Sequence, residues 1–124
     1  MAKILVIDDD PDIRDLLLTY LKDKGHLVFA AEDGAHGIGM VAQRQPDMVI
    51  LDVDMPVLDG HSTMRVLKGD PQMAGIPVIV LTAHVNDDTQ QTMRRAGCAG
   101  FLSKPLDFDQ LDRAVKHSLE VRQA

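Results

Sequence analysis

Ile4-Leu5-Val6-Ile7 runs straight into Asp8-Asp9. The pattern returns twice: Met48-Val49-Ile50-Leu51 stops at Asp52, and Val78-Ile79-Val80-Leu81 stops at Thr82. A weaker run, Ala99 to Leu102, leads through Ser103 to Lys104-Pro105. Short runs of branched residues, apolar without alternation, read as strands buried on both faces of a parallel sheet. Parallel strands share one direction, so their carboxyl ends gather along one edge, where open α/β sheets bind ligands. Taken singly, Asp8 or Asp9 could be a loop residue that merely ends a strand. Taken together, three acids, a hydroxyl and an ammonium are predicted to meet in one small site.

At 124 residues the chain fits one domain, large enough to bury about two-thirds of its unfolded surface. No apolar stretch approaches the roughly 18 residues that a membrane helix needs, and the N-terminus lacks a secretory pattern. A single cysteine, Cys98, excludes an internal disulfide and suits a reducing cytoplasm; a buried, inert thiol is expected. The net charge of −6 argues against direct nucleic-acid binding. Acid usage is lopsided, with 17 Asp against 2 Glu. The short Asp side chain suits caps, turns and hard-metal ligation, and most of these aspartates are expected to be caps and turns.

Strand and helix patterns alternate along the chain. Asp10-Pro11 offers a cap and a first-turn proline, followed by Ile13, Leu16, Leu17, Tyr20 and Leu21 on one helical face, with Gly25 past the end. Leu27 to Ala31 reads as a strand, Asp33-Gly34 as a turn, and Ala35 to Arg44 as a helix weakened by Gly37 and Gly39. Pro56 to Gly60 is expected as a loop, with a helix near Ser62 to Lys68. Asn86 can cap a helix over Asp87 to Ala96, whose only evident anchors are Met93 and Ala96, so it is expected to sit loosely on the sheet. Asp107-Phe108-Asp109-Gln110 resembles a capping box opening the last helix, which is expected to bury Phe108, Leu111, Val115 and Leu119. His26, His36, His61 and His117 lack metal-ligand spacing and read as surface residues. Five β-α units give an α/β, doubly wound fold. Residues 1–124 read as one domain, with no second effector domain expected within the chain.

Four pieces in this order resemble a response-regulator receiver domain, the CheY-like partner of histidine kinases in two-component signalling. They are Val6-Ile7-Asp8-Asp9-Asp10-Pro11, Leu51-Asp52-Val53-Asp54-Met55-Pro56-Val57-Leu58-Asp59-Gly60, Leu81-Thr82-Ala83 and Leu102-Ser103-Lys104-Pro105. The resemblance implies a (βα)5 flavodoxin/CheY-like sheet of order 2-1-3-4-5. It makes Asp52 the phosphoacceptor, charged from a sensor histidine kinase or a histidine phosphotransfer protein in a phosphorelay. It implies Mg²⁺ held by Asp9, Asp52 and the backbone carbonyl of Asp54, with Asp8 acting mainly through a bound water. Thr82 and Lys104 would contact phosphoryl oxygens, Phe101 would swing inward, and Pro105 would follow a cis peptide. The chain would catalyse only its own phosphotransfer and autodephosphorylation. An unknown downstream protein would bind an output face spanning Asp87 to Leu119, and a phosphorylation-dependent dimer is possible.

Elementary physics agrees with these roles. Carboxylates crowded within a few ångströms repel one another, so without a cation at least one pKa should rise. A divalent ion bound through oxygens removes that repulsion. Phosphoryl transfer needs an in-line nucleophile, a bridging cation and positive charge for the equatorial oxygens, roles that Asp52, Mg²⁺ and Lys104 can fill. Asp54 and His84 sit two residues past Asp52 and Thr82, and the resemblance implies that residues at these positions flank the phosphoryl group and tune how long it lasts; the alternative is that both are solvated and inert.

Two other readings compete. Asp52-Val53-Asp54 also resembles the start of a haloacid-dehalogenase-type phosphatase, but there the acid pair comes last, and Met55-Pro56 departs from its continuation. The second rival keeps the fold and makes the chain a receiver fragment of a larger regulator with a separate output domain, with Ala124 as an excision boundary.

Overall fold

The computed structural model describes residues 2–54, 60–84 and 86–123, with side chains as far as Glu120. Its elements are β1 (Lys3–Ile7), α1 (Pro11–Asp23), β2 (Leu27–Ala31), α2 (Gly34–Arg44), β3 (Met48–Asp52), α3 (Gly60–Gly69), β4 (Val78–Thr82), α4 (Asp87–Ala96), β5 (Gly100–Ser103) and α5 (Phe108–Gln123). The strands form one parallel five-stranded sheet in the order β2-β1-β3-β4-β5.

Every residue of β3 and β4 is buried, as strands covered on both faces require. Successive side chains point to opposite faces, so each strand feeds two cores. Leu5, Ile7, Val49, Leu51, Val78 and Val80 pack with Val41, Met64, Leu67 and Met93 beneath α2, α3 and α4. Ile4, Val6, Met48, Ile50, Ile79 and Leu81 pack with Leu17, Leu21, Leu111 and Val115 beneath α1 and α5. Tyr20 and Phe108 stack with centroids 4.1 Å apart, joining α1 to α5, and the Tyr20 hydroxyl donates to Asp112.

The local signals act as their chemistry suggests. Asp10 caps α1 by accepting from the Asp12 N–H, and Asn86 caps α4 by accepting from the Thr89 N–H. Gly25 lies just past α1 with φ 91°, and Gly97 closes α4 with φ 100°, backbone that favours glycine.

Several boundaries differ from the sequence expectation. Asp33 does not make a free turn: it caps α2 through the His36 N–H, so the helix begins at Gly34. α3 begins at Gly60, two residues before Ser62, and β5 runs from Gly100 to Ser103. Gly37 carries a packing role that helix propensity does not register, because a Cβ there would collide with the Ile7 side chain. At α5 only the cap half of the box forms. Asp107 accepts from Asp109 and Gln110 N–H groups, while Gln110 Oε1 turns to the Ser103 hydroxyl at 3.4 Å. Phe108 and Leu119 are half-buried. His26 is not a free surface residue: it is half-buried and its Nδ1 accepts from the Ala2 N–H at 3.2 Å. The expected loop over 56–59 lies outside the described residues, as does Met55.

Candidate functional site

Strand register assembles the site. Ile7 pairs with Leu51, which sets Asp8 level with Asp52. Asp52 pairs with Leu81 and Thr82 with Ser103, so Thr82 and Lys104 arrive one residue further along the same edge. Asp8, Asp52 and Thr82 are fully buried or nearly so, whereas Asp9 faces solvent.

One carboxylate oxygen each from Asp8, Asp9 and Asp52 lie within 4.8 Å of one another. Oδ1 of Asp8 accepts the Asp10 N–H at 2.9 Å, but its buried Oδ2 has no hydrogen-bond partner among the described residues. A buried carboxylate oxygen left unpaired is costly. The Asp8 pKa rises from 3.8 to about 7; burial is the main cause, the Asp10 N–H opposes it, and the neighbouring Asp52 charge adds to it. The direction is the one expected of crowded acids, but burial rather than the Asp52 charge is the larger cause. Hard oxygen donors around an orphaned buried oxygen fit a small divalent cation.

Among the described residues the ion pairs to this cluster come from Lys104. Its Nζ lies 3.2 Å from Asp52 Oδ2 and 3.8 Å from Asp54 Oδ2. Burial works against the ammonium form, but Asp52, Asp8 and Asp54 together outweigh it and hold the Lys104 pKa above the ordinary lysine value. The Lys104–Pro105 peptide is cis, and the Lys104 N–H donates to the Thr82 carbonyl at 3.0 Å.

Asp54 is more engaged than a solvated rim residue. Its N–H donates to Asp52 Oδ1 at 2.8 Å. Its own Oδ1 accepts the Thr82 hydroxyl at 2.9 Å, and its Oδ2 accepts the Ala83 N–H at 2.8 Å. His84 is exposed and reaches the site through its backbone, donating to Thr82 Oγ1 at 2.9 Å. Phe101 is half-buried against the core under α4, with the Arg94 guanidinium 5.7 Å from its ring centroid.

Three supporting groups escaped the sequence reading. Arg14, one turn into α1, donates from Nη1 to the Asp8 carbonyl at 2.8 Å and braces the acidic loop. The Ala83 N–H has no side-chain signature. Gly60 lies against Val53, where a Cβ would strike the backbone next to Asp52. In the sequence Gly60 reads as a turn and helix entry, which α3 bears out, but its packing against Val53 leaves no sequence signal.

No helix among the described residues is long and apolar enough to cross a membrane. Cys98 is half-buried rather than fully buried; it packs against the α4-side core, and burial pushes its thiol pKa up.

Comparison with known proteins fits the same geometry. The chain is 35% identical over 115 residues to Protein PilH of Pseudomonas aeruginosa, covering 93% of this chain and 95% of that one. It is 32% identical over 120 residues to sporulation initiation phosphotransferase F of Bacillus subtilis, covering 97% and 95%. The crystal structure of the chemotaxis protein CheY4 of Vibrio cholerae superposes with a TM-score of 0.91 at 29% identity, covering 96% and 99%. The family model for the response regulator receiver domain matches residues 4–116, and the chain belongs to that family of two-component signalling switches.

Proposed function

We propose that Asp52 receives a phosphoryl group from a phosphohistidine, carried by a sensor histidine kinase or a histidine phosphotransfer protein. The observation that carries this reading is the Lys104 ammonium 3.2 Å from the buried Asp52 carboxylate, on the edge that gathers the oxygens of Asp8 and Asp9. A carboxylate so placed has one face toward the acid cluster and a fixed positive charge for the incoming oxygens. Asp8, Asp9, Asp52 and the backbone carbonyl of Asp54 would hold Mg²⁺. When bound, that ion supplies neutralisation of the crowded carboxylates and of the phosphoryl oxygens.

Thr82 and Lys104 then contact the new oxygens. A charge-assisted hydrogen bond is worth about 1.5–3 kcal/mol, and the excess over the contacts these donors already make is what can shift a balanced two-state equilibrium. Phe101 and the Asp87–Leu119 face transmit the change to a downstream protein, with dimerisation as one possible output. α4 is the element that moves, since Met93 is its only fully buried residue. The chain acts on itself alone, by phosphotransfer and autodephosphorylation in the cytoplasm, and His84 and Asp54 tune the lifetime.

The test is incubation with a small phosphodonor and Mg²⁺, followed by intact-mass measurement, with Asp52→Ala as the blank. One acid-labile phosphoryl group per wild-type chain and none on Asp52→Ala is expected; equal labelling of both would sink the assignment. Multiple-turnover hydrolysis of small phosphate esters would favour the phosphatase reading instead.

A further inference from the structure

Resting on that phosphoacceptor reading, we infer that the Asp54 carboxylate is a resident competitor for the phosphoryl group. In the unphosphorylated protein it occupies the hydrogen-bond donors that the phosphoryl oxygens need, and it must be displaced for them to bind.

The geometry is specific. Thr82 is fully buried, and its hydroxyl has one hydrogen to give. That hydrogen points to Asp54 Oδ1 at 2.9 Å, while the oxygen of the same hydroxyl accepts the His84 N–H at 2.9 Å. The Ala83 N–H, also a single-hydrogen donor, is taken by Asp54 Oδ2 at 2.8 Å. Oδ2 further lies 3.8 Å from Lys104 Nζ, so it shares with Asp52 the one ammonium facing the cluster among the described residues. A carboxylate and a phosphoryl group both present anionic oxygens to such donors. Asp54 therefore satisfies the same needs that a phosphoryl group on Asp52 would satisfy.

Asp54 is exposed as a residue, but only 24% of its side chain is, and both carboxylate oxygens are hydrogen-bonded. Its backbone N–H is tied to Asp52 Oδ1, which anchors the residue beside the phosphoacceptor. When the phosphoryl group arrives, no new donor is created; the Thr82 and Ala83 hydrogens change acceptor. The free energy available for switching is the difference between two anionic acceptors, not the full strength of the new bonds. Asp54 thus acts as a positioning residue that holds Thr82 inward and sets a threshold for the phosphoryl group. No bond is made or broken in this exchange.

The experiment is an NMR titration of the ¹⁵N-labelled protein with beryllofluoride, a phosphoryl mimic, in saturating Mg²⁺. It compares wild type, Asp54→Ala, Asp54→Asn and the same changes in a Thr82→Ala background. Asp54→Ala is expected to bind the mimic about tenfold more tightly or better, the effect of freeing one charge-assisted donor, with the Ala83 amide resonance already moved before any mimic is added. Asp54→Asn, which keeps the shape and one neutral acceptor oxygen, should gain less. In the Thr82→Ala background the gain should shrink, because one contested donor is gone.

Unchanged or weaker binding by folded Asp54→Ala would overturn the competition. So would equal gains from Asn and Ala, or a gain of the same size with and without the Thr82 hydroxyl, because a through-space charge effect predicts both. If every variant is folded and none binds beryllofluoride, the phosphoryl-site reading itself fails, and the competition falls with it.

Discussion

The Lys104 ammonium lies 3.2 Å from Oδ2 of Asp52, a carboxylate whose side chain is only 2% exposed. No other residue ion-pairs with these carboxylates among the described residues, and strand register holds the pair in place, since Thr82 pairs with Ser103 immediately before the lysine. Removing one partner of a buried pair leaves the other charge uncompensated.

Lys104→Met should therefore lower stability in Mg²⁺-free buffer at pH 8 by about 1–3 kcal/mol, less than a fully buried pair because the lysine end keeps contact with water. Saturating Mg²⁺ should restore much of that loss by supplying the missing positive charge. Urea unfolding with EDTA and with Mg²⁺ measures both. A deficit of the same size in the two buffers would mean that the lysine stabilises the fold by packing rather than by charge.

Asp8 carries the opposite liability. With its folded pKa at about 7 against 3.8 for an ordinary aspartate, it holds its proton longer in the folded chain than in the unfolded one. Folding stability then falls as pH climbs from about 4 to 7 and levels off above that window. Asp8→Asn, neutral throughout, should match the wild type near pH 4. At pH 8 without metal it should be more stable, by a margin on the order of 2–4 kcal/mol. Mg²⁺ should reverse the order, because the variant keeps Asp9 and Asp52 but lacks the third carboxylate that the ion neutralises in the wild type. Denaturation curves of the two proteins across pH, with and without Mg²⁺, decide this; parallel curves would refute it.

The sheet was legible because Met48 to Leu51 and Val78 to Leu81 are apolar throughout, which leaves few alternatives to a strand covered on both faces. The site was legible for a related reason: polar residues that end such strands must meet at one edge. Helix starts were less visible. Asp33-Gly34 is as good a turn as a cap, and only the His36 N–H pointing at Asp33 decides between them. The engagement of Asp54 could not be read from sequence at all. It depends on β3 and β4 lying side by side with Asp52 opposite Leu81, which brings Thr82 within reach of a residue 28 positions earlier.

Gly60 shows the same limit from the packing side. A Cβ at this position would collide with Val53, one residue past Asp52. Gly60→Ala should cost about 1–3 kcal/mol through overpacking, despite the better helix propensity of alanine. It should also slow labelling of Asp52 by a small phosphodonor, since Val53 cannot move without shifting Asp52. Urea unfolding and initial phosphorylation rates are the readouts. A variant as stable and as readily labelled as the wild type would show that α3 can slide away freely.

α4 offers a test of the output route. Met93 is its only fully buried residue, and its remaining face is polar, so little apolar burial opposes local opening. Amide hydrogen exchange should find α4 less protected than α1, which is anchored by both Leu17 and Leu21. Met93→Ala removes the only fully buried anchor, leaving half-buried Ala96, and opens a cavity, a change that costs about 2–5 kcal/mol where the surroundings cannot collapse. Here the helix can open instead, so the exchange of α4 amides should rise steeply while global unfolding shifts by less than that range. If the loss appears in full in global unfolding and α4 exchange rises no more than that of α1, α4 unfolds only with the whole domain, and some other element must carry the signal away from Asp52.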